Sequence, residues 1–259
     1  MKYTAQTLTT KEYEERIVIF IDILGFRNFV ANTNDDILKI FVSKLKNMTS
    51  DGEIGTNGNS LYFLPSVIQF SDTIIASAPV NYFKIIGHPT GANILLYISV
   101  WTSKIQMHAL EFGLLTRGCV AFGKSFNDGS AWFGPAIIDA YEHESNYAIY
   151  PRIIISDSLT KQIRIDVDQK QDYPLLTHSD DGFYYVNFFG WSHINFEDKP
   201  AFVVAHNRVR EMIEKGMSSC RDLKHKIKWR WFAVSYNNYT EKHLLKSGKS
   251  DSEYKFIPL

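Results

Sequence analysis

The feature that most constrains the fold is an apolar, mostly β-branched run at residues 17–23 (Ile-Val-Ile-Phe-Ile-Asp-Ile). A strand with one solvent face alternates apolar and polar residues, whereas a continuous apolar run is typical of a strand buried on both faces. We therefore expect this segment to be an inner strand of a sheet that helices cover.

Patterns further along the chain predict helices and strands in alternation. Residues 34–48 carry a polar cap and then apolar residues at helical spacing, and the glycine- and asparagine-rich residues 50–59 predict a loop. Strands at residues 61–70 and 73–77 are separated only by Ser71-Asp72, so they must form a hairpin. The other predicted elements are a long helix at 92–112, strands at 114–122, 152–156 and 183–189, and helices at 135–147, 201–214 and 221–236.

This order predicts an α+β fold in which helices pack on a central sheet. No linker interrupts the chain, so residues 1–160 are expected to form the core, and residues 161–259 to extend the same domain with a strand and helices. The polar tail from Lys242 onward is expected to be loose.

Composition excludes several classes of partner. The chain of 259 residues has 28 basic and 28 acidic side chains, so no overall charge attracts it to nucleic acid or to an anionic membrane. No apolar run is long enough to span a bilayer, and residues 1–16 lack the apolar core of a secretory signal. Cys119 and Cys220 are too few for a disulfide framework or a structural zinc site. We expect a cytoplasmic protein without nucleic-acid partners or membrane insertion.

Asp22 is the first candidate for chemistry. A carboxylate in an apolar strand is costly unless something compensates its charge, and a divalent cation is the obvious compensator because hard cations prefer carboxylate and carbonyl oxygens. Gly25 would let the backbone turn close to a ligand. The amides of Leu24, Gly25 and Phe26, at the start of a helix, could then hold phosphate oxygens. The alternative is that Asp22 simply caps this helix.

Asp72, at the tip of the predicted hairpin, is the second candidate, although aspartate is also common in turns that bind nothing. An aspartate at a strand end and another at a neighbouring hairpin tip can converge on one pair of cations. Two-metal sites of this kind activate an attacking oxygen and stabilise a departing one in phosphoryl chemistry.

Residues 20–26 (Phe-Ile-Asp-Ile-Leu-Gly-Phe), followed by residues 70–73 (Phe-Ser-Asp-Thr), resemble the metal-binding motifs of the class III nucleotidyl cyclases. The likeness continues through weaker segments, so that it covers roughly residues 16–160. These segments are residues 117–123 (Arg-Gly-Cys-Val-Ala-Phe-Gly), 133–145 (Phe-Gly-Pro-Ala-Ile-Ile-Asp-Ala-Tyr-Glu-His-Glu-Ser) and 150–158 (Tyr-Pro-Arg-Ile-Ile-Ile-Ser-Asp-Ser).

The resemblance implies a ferredoxin-like palm sheet and the conversion of a nucleoside triphosphate to a 3′,5′-cyclic monophosphate and pyrophosphate. It also implies that Asp22 and Asp72, assisted by the carbonyl of Ile23, hold two Mg²⁺ or Mn²⁺ ions. One ion would help to ionise the ribose 3′-hydroxyl and the other would anchor the β- and γ-phosphates. Since the family works as dimers with interfacial active sites, a homodimer is expected.

The chain departs from the family at the residues that read purines and stabilise the transition state. The lysine that reads the base is replaced by Ile68, and the second base-reading position is Pro135. The helix positions that usually carry an asparagine and an arginine are Ile138 and Glu142 at the best alignment. Replacement cations could be Arg117, Lys124 or Arg152.

This pattern resembles the small pyrimidine cyclases of the antiphage Pycsar systems, which make cyclic UMP or cyclic CMP and signal to a separate effector protein. UTP is the expected substrate ahead of CTP. Two alternatives stay open. The first is a catalytically silent nucleotide-binding dimer module, and the second is a purine cyclase that uses ATP.

Two further segments imitate functional motifs. Residues 118–125 (Gly-Cys-Val-Ala-Phe-Gly-Lys-Ser) match the phosphate-loop pattern, but the intervening residues are strand-like and no helix is predicted to follow them. Residues 224–231 (Lys-His-Lys-Ile-Lys-Trp-Arg-Trp) are basic and aromatic, which in a neutral protein favours a solvated helix face with Trp229 or Trp231 packed inward.

Overall fold

The computed structural model describes residues 13–50, 53–56, 59–62, 65–84, 90–128, 131–163, 175–190, 199–245 and 254–259. The strands in these ranges are β1 (Glu14–Leu24), β2 (Glu53–Thr56), β3 (Asn59–Tyr62), β4 (Ser66–Phe70), β5 (Thr73–Pro79), β6 (Leu115–Asn127), β7 (Trp132–Phe133), β8 (Ile153–Ile155), β9 (Leu176–His178) and β10 (Tyr184–Val186). The α-helices are α1 (Phe26–Asn32), α2 (Asp35–Ser50), α3 (Thr90–Glu111), α4 (Pro135–Tyr147), α5 (Asp157–Ile163), α6 (Lys199–Ser219) and α7 (Leu223–Tyr239). Among the described helices, none has the length and apolarity needed to cross a membrane.

The central sheet has the strand order β4-β5-β1-β6-β8-β10-β9, with β7 paired to β6. β1 is antiparallel to both of its neighbours, and the β4-β5 hairpin forms one edge. Helices α1 and α2 connect β1 to the hairpin side of the fold, and α3 connects β5 to β6. This order and connectivity are those of a ferredoxin-like sheet. The predicted α+β class, with helices flanking the sheet, is therefore confirmed.

β1 is buried on both faces, as its apolar run predicts. On one face Ile17, Ile19, Ile21 and Ile23 belong to the main core, which α2 and α3 complete. On the other face Val18 and Phe20 pack against the small residues of α4, Ala136 and Ala140. Burying one such isoleucine contributes about 1.5–3 kcal/mol, so this strand anchors the domain.

A second core joins the carboxyl-terminal helices to the palm. Leu24 and Leu115, which are partners across β1 and β6, pack in one cluster with apolar residues of α6 and α7. Tyr254 and Ile257 are buried in the same cluster, and the Asn237 side chain both donates to and accepts from the Ile257 backbone. The expectation of a loose tail is therefore wrong for residues 254–259, because apolar side chains and two hydrogen bonds hold them.

The loop expected at residues 50–59 is wrong where β2 and β3 lie, since residues 53–56 pair antiparallel with residues 59–62. The strand expected at 61–70 begins at Ser66 as β4, because Leu61 and Tyr62 belong to β3. The chain between β2 and β3 reads Asn57-Gly58, which is the dipeptide most typical of two-residue hairpin connections. Glycine and asparagine favour loops by composition, whereas the order Asn-Gly favours a two-residue hairpin connection.

The phosphate-loop-like string lies wholly inside β6, which pairs with β1 along its length. Gly118 lets β1 and β6 pack closely, because a Cβ atom at this position would lie only 2.3 Å from the carbonyl oxygen of Phe20. A phosphate loop needs a strand–loop–helix setting, so the sequence-based rejection of this motif is confirmed.

Candidate functional site

The two candidate aspartates come together at one end of β1. Asp22 pairs across the sheet with Thr73 and with Arg117. The next amide, that of Ile23, donates to the carbonyl of Asp72 over 2.9 Å. Ser71 has a positive φ of 56°, which closes the predicted Ser71-Asp72 hairpin tip. One backbone hydrogen bond therefore holds the Asp72 peptide against the end of β1.

Both aspartates have access to solvent. The Asp22 side chain is 19% exposed, and Asp72 is partly exposed. The described residues contain no group of three or more histidine, cysteine, aspartate or glutamate side chains placed to hold a metal. Two carboxylates and the Ile23 carbonyl nevertheless fit Mg²⁺ in kind, because protein Mg²⁺ sites use one or two carboxylates and leave the other positions to water and substrate phosphates. The metal assignment stays a prediction.

Arg117 compensates the charge of Asp22 directly. Its Nε donates to Asp22 Oδ2 over 3.0 Å, and it also lies 2.9 Å from Glu144 Oε1 on α4. The Glu144 oxygen accepts no hydrogen bond from the described residues, so the second contact is an ion pair without hydrogen-bond alignment. A divalent cation from solution is the compensator expected from sequence, and the structure shows that the chain also supplies a cation of its own.

Glu144 is the least exposed member of this cluster. Its residue is 3% exposed, and burial raises the pKa of its carboxyl while the charge of Arg117 opposes that rise. Glu144 could not be singled out from the sequence, because a glutamate in the last turns of an amphipathic helix looks like a surface residue. Its i−4 neighbour Ala140, buried against β1, was the available signal for the inward face.

Lys228 on α7 faces the same cluster from the carboxyl-terminal extension. It is half-buried, and its pKa is lowered by burial first and then by the positive charge of Arg117, while Asp22 and Glu144 act in the opposite direction. Trp229 beside it is buried, which confirms the predicted inward packing of this basic segment. This basic segment is therefore not a fully solvated helix face, because Lys228 interacts electrostatically with the charged residues around Asp22.

The register decides among the three cations proposed from sequence. Lys124 pairs with Glu15, seven residues from the Asp22–Arg117 pair, or about 24 Å along the strand. Arg152 is buried and forms ion-paired hydrogen bonds with Asp181. Arg117 alone of the three contacts Asp22.

The turn after β1 has the geometry that the sequence suggested. Gly25 has φ of 86°, in the left-handed region, and is the N-cap of α1 without a side-chain hydrogen bond. The alternative role of Asp22 as a helix cap is therefore wrong. Leu24 is buried, and Phe26 opens the helix, so phosphate binding by the amides of Leu24, Gly25 and Phe26 stays a prediction.

The positions that depart from the family pattern lie on the face of the sheet that carries Asp22, or on α4. Ile68 pairs with Ile75, which in turn pairs with Phe20. Pro135 is the first residue of α4, and Ile138 is 56% exposed on the same helix. None of these three side chains can donate or accept a hydrogen bond.

No family model and no curated protein matches the chain. Among solved structures it is similar to the monomeric guanylyl cyclase domain of the RhoGC fusion protein from the aquatic fungus Blastocladiella emersonii, with 14% identity, a TM-score of 0.36, and coverage of 67% of this chain and 95% of that one. It is also similar to the catalytic core of a rhodopsin-guanylyl cyclase with converted specificity in complex with ATPαS, with 15% identity, a TM-score of 0.34, and coverage of 68% and 96%. Superposition at this level does not establish common function, so the site residues themselves must carry any functional conclusion.

Proposed function

We propose that this protein is a nucleotidyl cyclase that converts UTP, or less favourably CTP, to the 3′,5′-cyclic monophosphate and pyrophosphate. The carrying observation is the placement of Asp22 and Asp72 at one end of β1, joined through the Ile23–Asp72 backbone hydrogen bond on a ferredoxin-like sheet. The motifs that resemble class III cyclases contain these two aspartates.

The donors present suit two hard cations, Mg²⁺ or Mn²⁺, at Asp22, Asp72 and the carbonyl of Ile23. Such ions supply charge neutralisation for a triphosphate and acidify a coordinated hydroxyl. The chain's own residues would position the substrate. Gly25 turns the backbone into α1 without a side-chain cap, and the first amides of a helix, which lack intrahelical partners, are suited to bind phosphate oxygens.

Arg117 and Lys228 take the place of the transition-state groups that α4 lacks. Arg117 of β6 forms an ion pair with Asp22, and Lys228 of α7 is close enough for the charges of Asp22 and Arg117 to affect its pKa. Neither cation comes from α4. Negative charge grows on the transferring phosphoryl group and its leaving oxygen, and fixed cations stabilise that charge. Glu144 pairs with Arg117 and would hold its guanidinium in place between turnovers.

The absence of hydrogen-bonding side chains at Ile68 and Pro135 supports a pyrimidine substrate. A site that reads a purine needs polar groups on the base edge, and these two positions offer apolar surface instead. A smaller base with fewer side-chain contacts suits such a surface.

A homodimer is part of the proposal. Phe70, Ile138 and Tyr141 expose 79%, 56% and 54% of their surfaces on the hairpin and on α4, and Tyr141 touches Phe20 edge-on. Exposed apolar side chains on adjoining elements are typical of an interaction surface. We further propose that the cyclic product is a second messenger of antiviral defence, read in the cytoplasm by a separate effector protein.

The decisive experiment incubates the full chain separately with UTP, CTP, ATP and GTP in the presence of Mn²⁺ and identifies products by mass spectrometry. Cyclic UMP as the main product, with cyclic CMP second, is expected. Cyclic AMP as the main product would support a purine cyclase instead. Absence of every cyclic product, in the presence of extract from infected cells as a possible activator source, would overturn the cyclase assignment.

A second candidate function is a silent nucleotide-binding module. The exposed Ile138 and the Asp22–Arg117 ion pair favour it, because the former cannot stabilise charge and the latter neutralises a carboxylate that a metal needs. Calorimetry separates the two functions. The silent module binds nucleotide without turnover, and Asp72→Ala then changes metal affinity alone.

A further inference from the structure

Arg117 faces two carboxylates with a single N–H group. Its Nε lies 3.0 Å from Asp22 Oδ2 and 2.9 Å from Glu144 Oε1, but only the contact with Asp22 has hydrogen-bond geometry. One N–H group cannot point straight at two oxygens that lie on different elements. The guanidinium is therefore aligned on Asp22, while a second acceptor lies within hydrogen-bond distance of the same nitrogen.

The Glu144 carboxylate is placed to receive that hydrogen bond. Its Oε2 accepts from the Ser145 hydroxyl over 3.0 Å, which helps to hold the carboxylate in one orientation on α4. Its Oε1 is buried and has no hydrogen-bond partner among the described residues. Because a buried acceptor without a partner is costly, a turn of the Arg117 N–H toward Glu144 would recover free energy that the arrangement with Asp22 leaves unused.

The Arg117 guanidinium is free to make this turn. Its side chain is 26% exposed, and of its guanidinium nitrogens only Nε donates to another group in the described part of the chain. Breaking one hydrogen bond therefore releases it from Asp22. Arg152 is the contrasting case, because several hydrogen bonds to Ser179 and Asp181 fix its guanidinium.

A divalent cation at Asp22 would supply the reason for the turn. The Asp22 carboxylate is partly open to solvent, so an ion can reach it. The double charge of such an ion repels Arg117 and competes with it for the same oxygens. Glu144 offers Arg117 another negative partner, and this partner is not one of the proposed metal ligands.

We propose that Arg117 is an exchangeable counter-ion of the metal site. Its Nε–H donates to Asp22 when no metal is bound, and it turns to Glu144 when a divalent cation occupies Asp22. Glu144 is thereby a positioning residue that sets the metal affinity through Arg117, without contact to metal or substrate. This inference rests on the proposed function, because it needs a divalent cation at Asp22.

The test measures the binding of Mn²⁺ alone to the full chain, without nucleotide, from the electron paramagnetic resonance signal of the free ion. Arg117→Met should tighten Mn²⁺ binding about tenfold, because the competing cation is gone. Glu144→Gln should weaken it about tenfold, because Arg117 then lacks a second carboxylate and stays on Asp22. Lys161→Met, which removes an exposed cation on α5, is the control and should leave the affinity unchanged.

The double variant Arg117→Met/Glu144→Gln separates exchange from a simple effect of charge. If Glu144 acts through Arg117, its removal has no effect once Arg117 is gone, so the double variant should bind Mn²⁺ as tightly as Arg117→Met. Glu144→Gln would weaken binding by the same factor in both backgrounds if its carboxylate merely added negative charge. That result would overturn the proposal.

A second measurement follows the exchange in the wild-type chain. The Nε–H signal of Arg117 in a ¹H–¹⁵N spectrum can be identified by its absence from Arg117→Lys. This signal should shift when Mg²⁺ is added, because its hydrogen bond moves from one carboxylate to the other. An unchanged signal at saturating Mg²⁺ would overturn the exchange even if the substituted chains failed to fold.

Failure of the metal site itself gives a different result. Asp22→Asn should abolish Mn²⁺ binding in every background. If neither the wild type nor Arg117→Met binds Mn²⁺, the metal site of the proposed function is overturned together with the exchange. If Asp22→Asn abolishes binding but Arg117→Met and Glu144→Gln leave the affinity unchanged, only the exchange is overturned.

Discussion

The guanidinium of Arg117 donates to the carboxylate of Asp22 across the β1–β6 pair, with Nε 3.0 Å from Oδ2. The same nitrogen lies 2.9 Å from Glu144 Oε1. One cation therefore faces two carboxylates at the end of the central strand, and the cluster is only partly screened by solvent.

Removal of Arg117 should destabilise the fold. Arg117→Met leaves Asp22 and Glu144 without their cation, and we expect the free energy of unfolding in urea to fall by about 2 kcal/mol, less than for a fully buried pair because the arginine side chain is 26% exposed. The double variant Arg117→Met/Glu144→Gln should recover part of the loss, since one of the stranded charges is gone. Arg27→Met, on the exposed side of α1, is the control. Equal stability of the single and double variants would contradict this account.

Glu144 should make stability depend on pH. Burial raises its pKa above the ordinary value of 4.5, so between the ordinary and the raised pKa the folded state binds more protons than the unfolded state, and stability falls as pH rises through that window. Glutamine cannot titrate. The unfolding free energy of Glu144→Gln minus that of the wild type should therefore increase with pH from about 4.5 upward. Urea denaturation at a series of pH values measures this difference, and a difference independent of pH would refute the raised pKa.

The two aspartates should be needed for cyclisation. Asp22→Asn and Asp72→Asn are each expected to lower the rate of cyclic nucleotide formation by about 100-fold or more, the scale of losing one electrostatic partner of a reacting group. Asp36→Asn, on the exposed first turn of α2, should leave the rate unchanged. Melting temperatures of the variants verify that they fold. Full activity in Asp72→Asn would show that the hairpin tip is not part of the active site.

Lys228 should contribute to turnover from outside the palm. Lys228→Met is expected to lower kcat/KM by about 10-fold to 100-fold because a cation near the reacting phosphates is lost. Lys224→Met, one turn earlier on α7 and exposed, is the matched control and should stay within about twofold of wild type. Steady-state kinetics with the preferred triphosphate measure both. Equal rates for the two variants would assign Lys228 to packing alone.

Gly118 should tolerate no side chain. In Gly118→Ala the new Cβ would meet the Phe20 carbonyl oxygen at 2.3 Å and the Ile21 Cα at 3.3 Å, so β1 and β6 must separate locally. We expect the free energy of unfolding to fall by about 1–3 kcal/mol, as for overpacked cores. An unchanged urea midpoint would show that the two strands adjust freely.

Local sequence signals were enough to predict the central strand, the β4-β5 hairpin and α3. Each of these is encoded by neighbours in the chain: the apolar run of β1, the dipeptide Ser71-Asp72, and the glycine at 113 with φ of 72° that ends α3. The α4 bounds at Pro135 and Tyr147 were likewise predicted, because proline suits a first helical position.

The charge cluster could not be predicted because it depends on contacts distant in sequence. Asp22 and Arg117 are 95 residues apart, and Lys228 comes from a helix whose packing follows from a second core. Choosing Arg117 over Lys124 required the β1–β6 register, which periodicity does not specify. The cyclase interpretation came from resemblance alone.

The hydrogen bond from the Ile23 amide to the Asp72 carbonyl joins the central strand β1 to the tip of the β4–β5 hairpin. β1 is hydrogen-bonded to strands on both sides, so its amides should exchange with solvent only when the whole domain opens, whereas the solvent-accessible tip of the β4–β5 hairpin at Phe70–Asp72 can fray locally. Local fraying of that tip would then separate the two carboxylates while the rest of the sheet stays intact, so heating should abolish the proposed cyclase activity at a lower temperature than the one at which the domain unfolds.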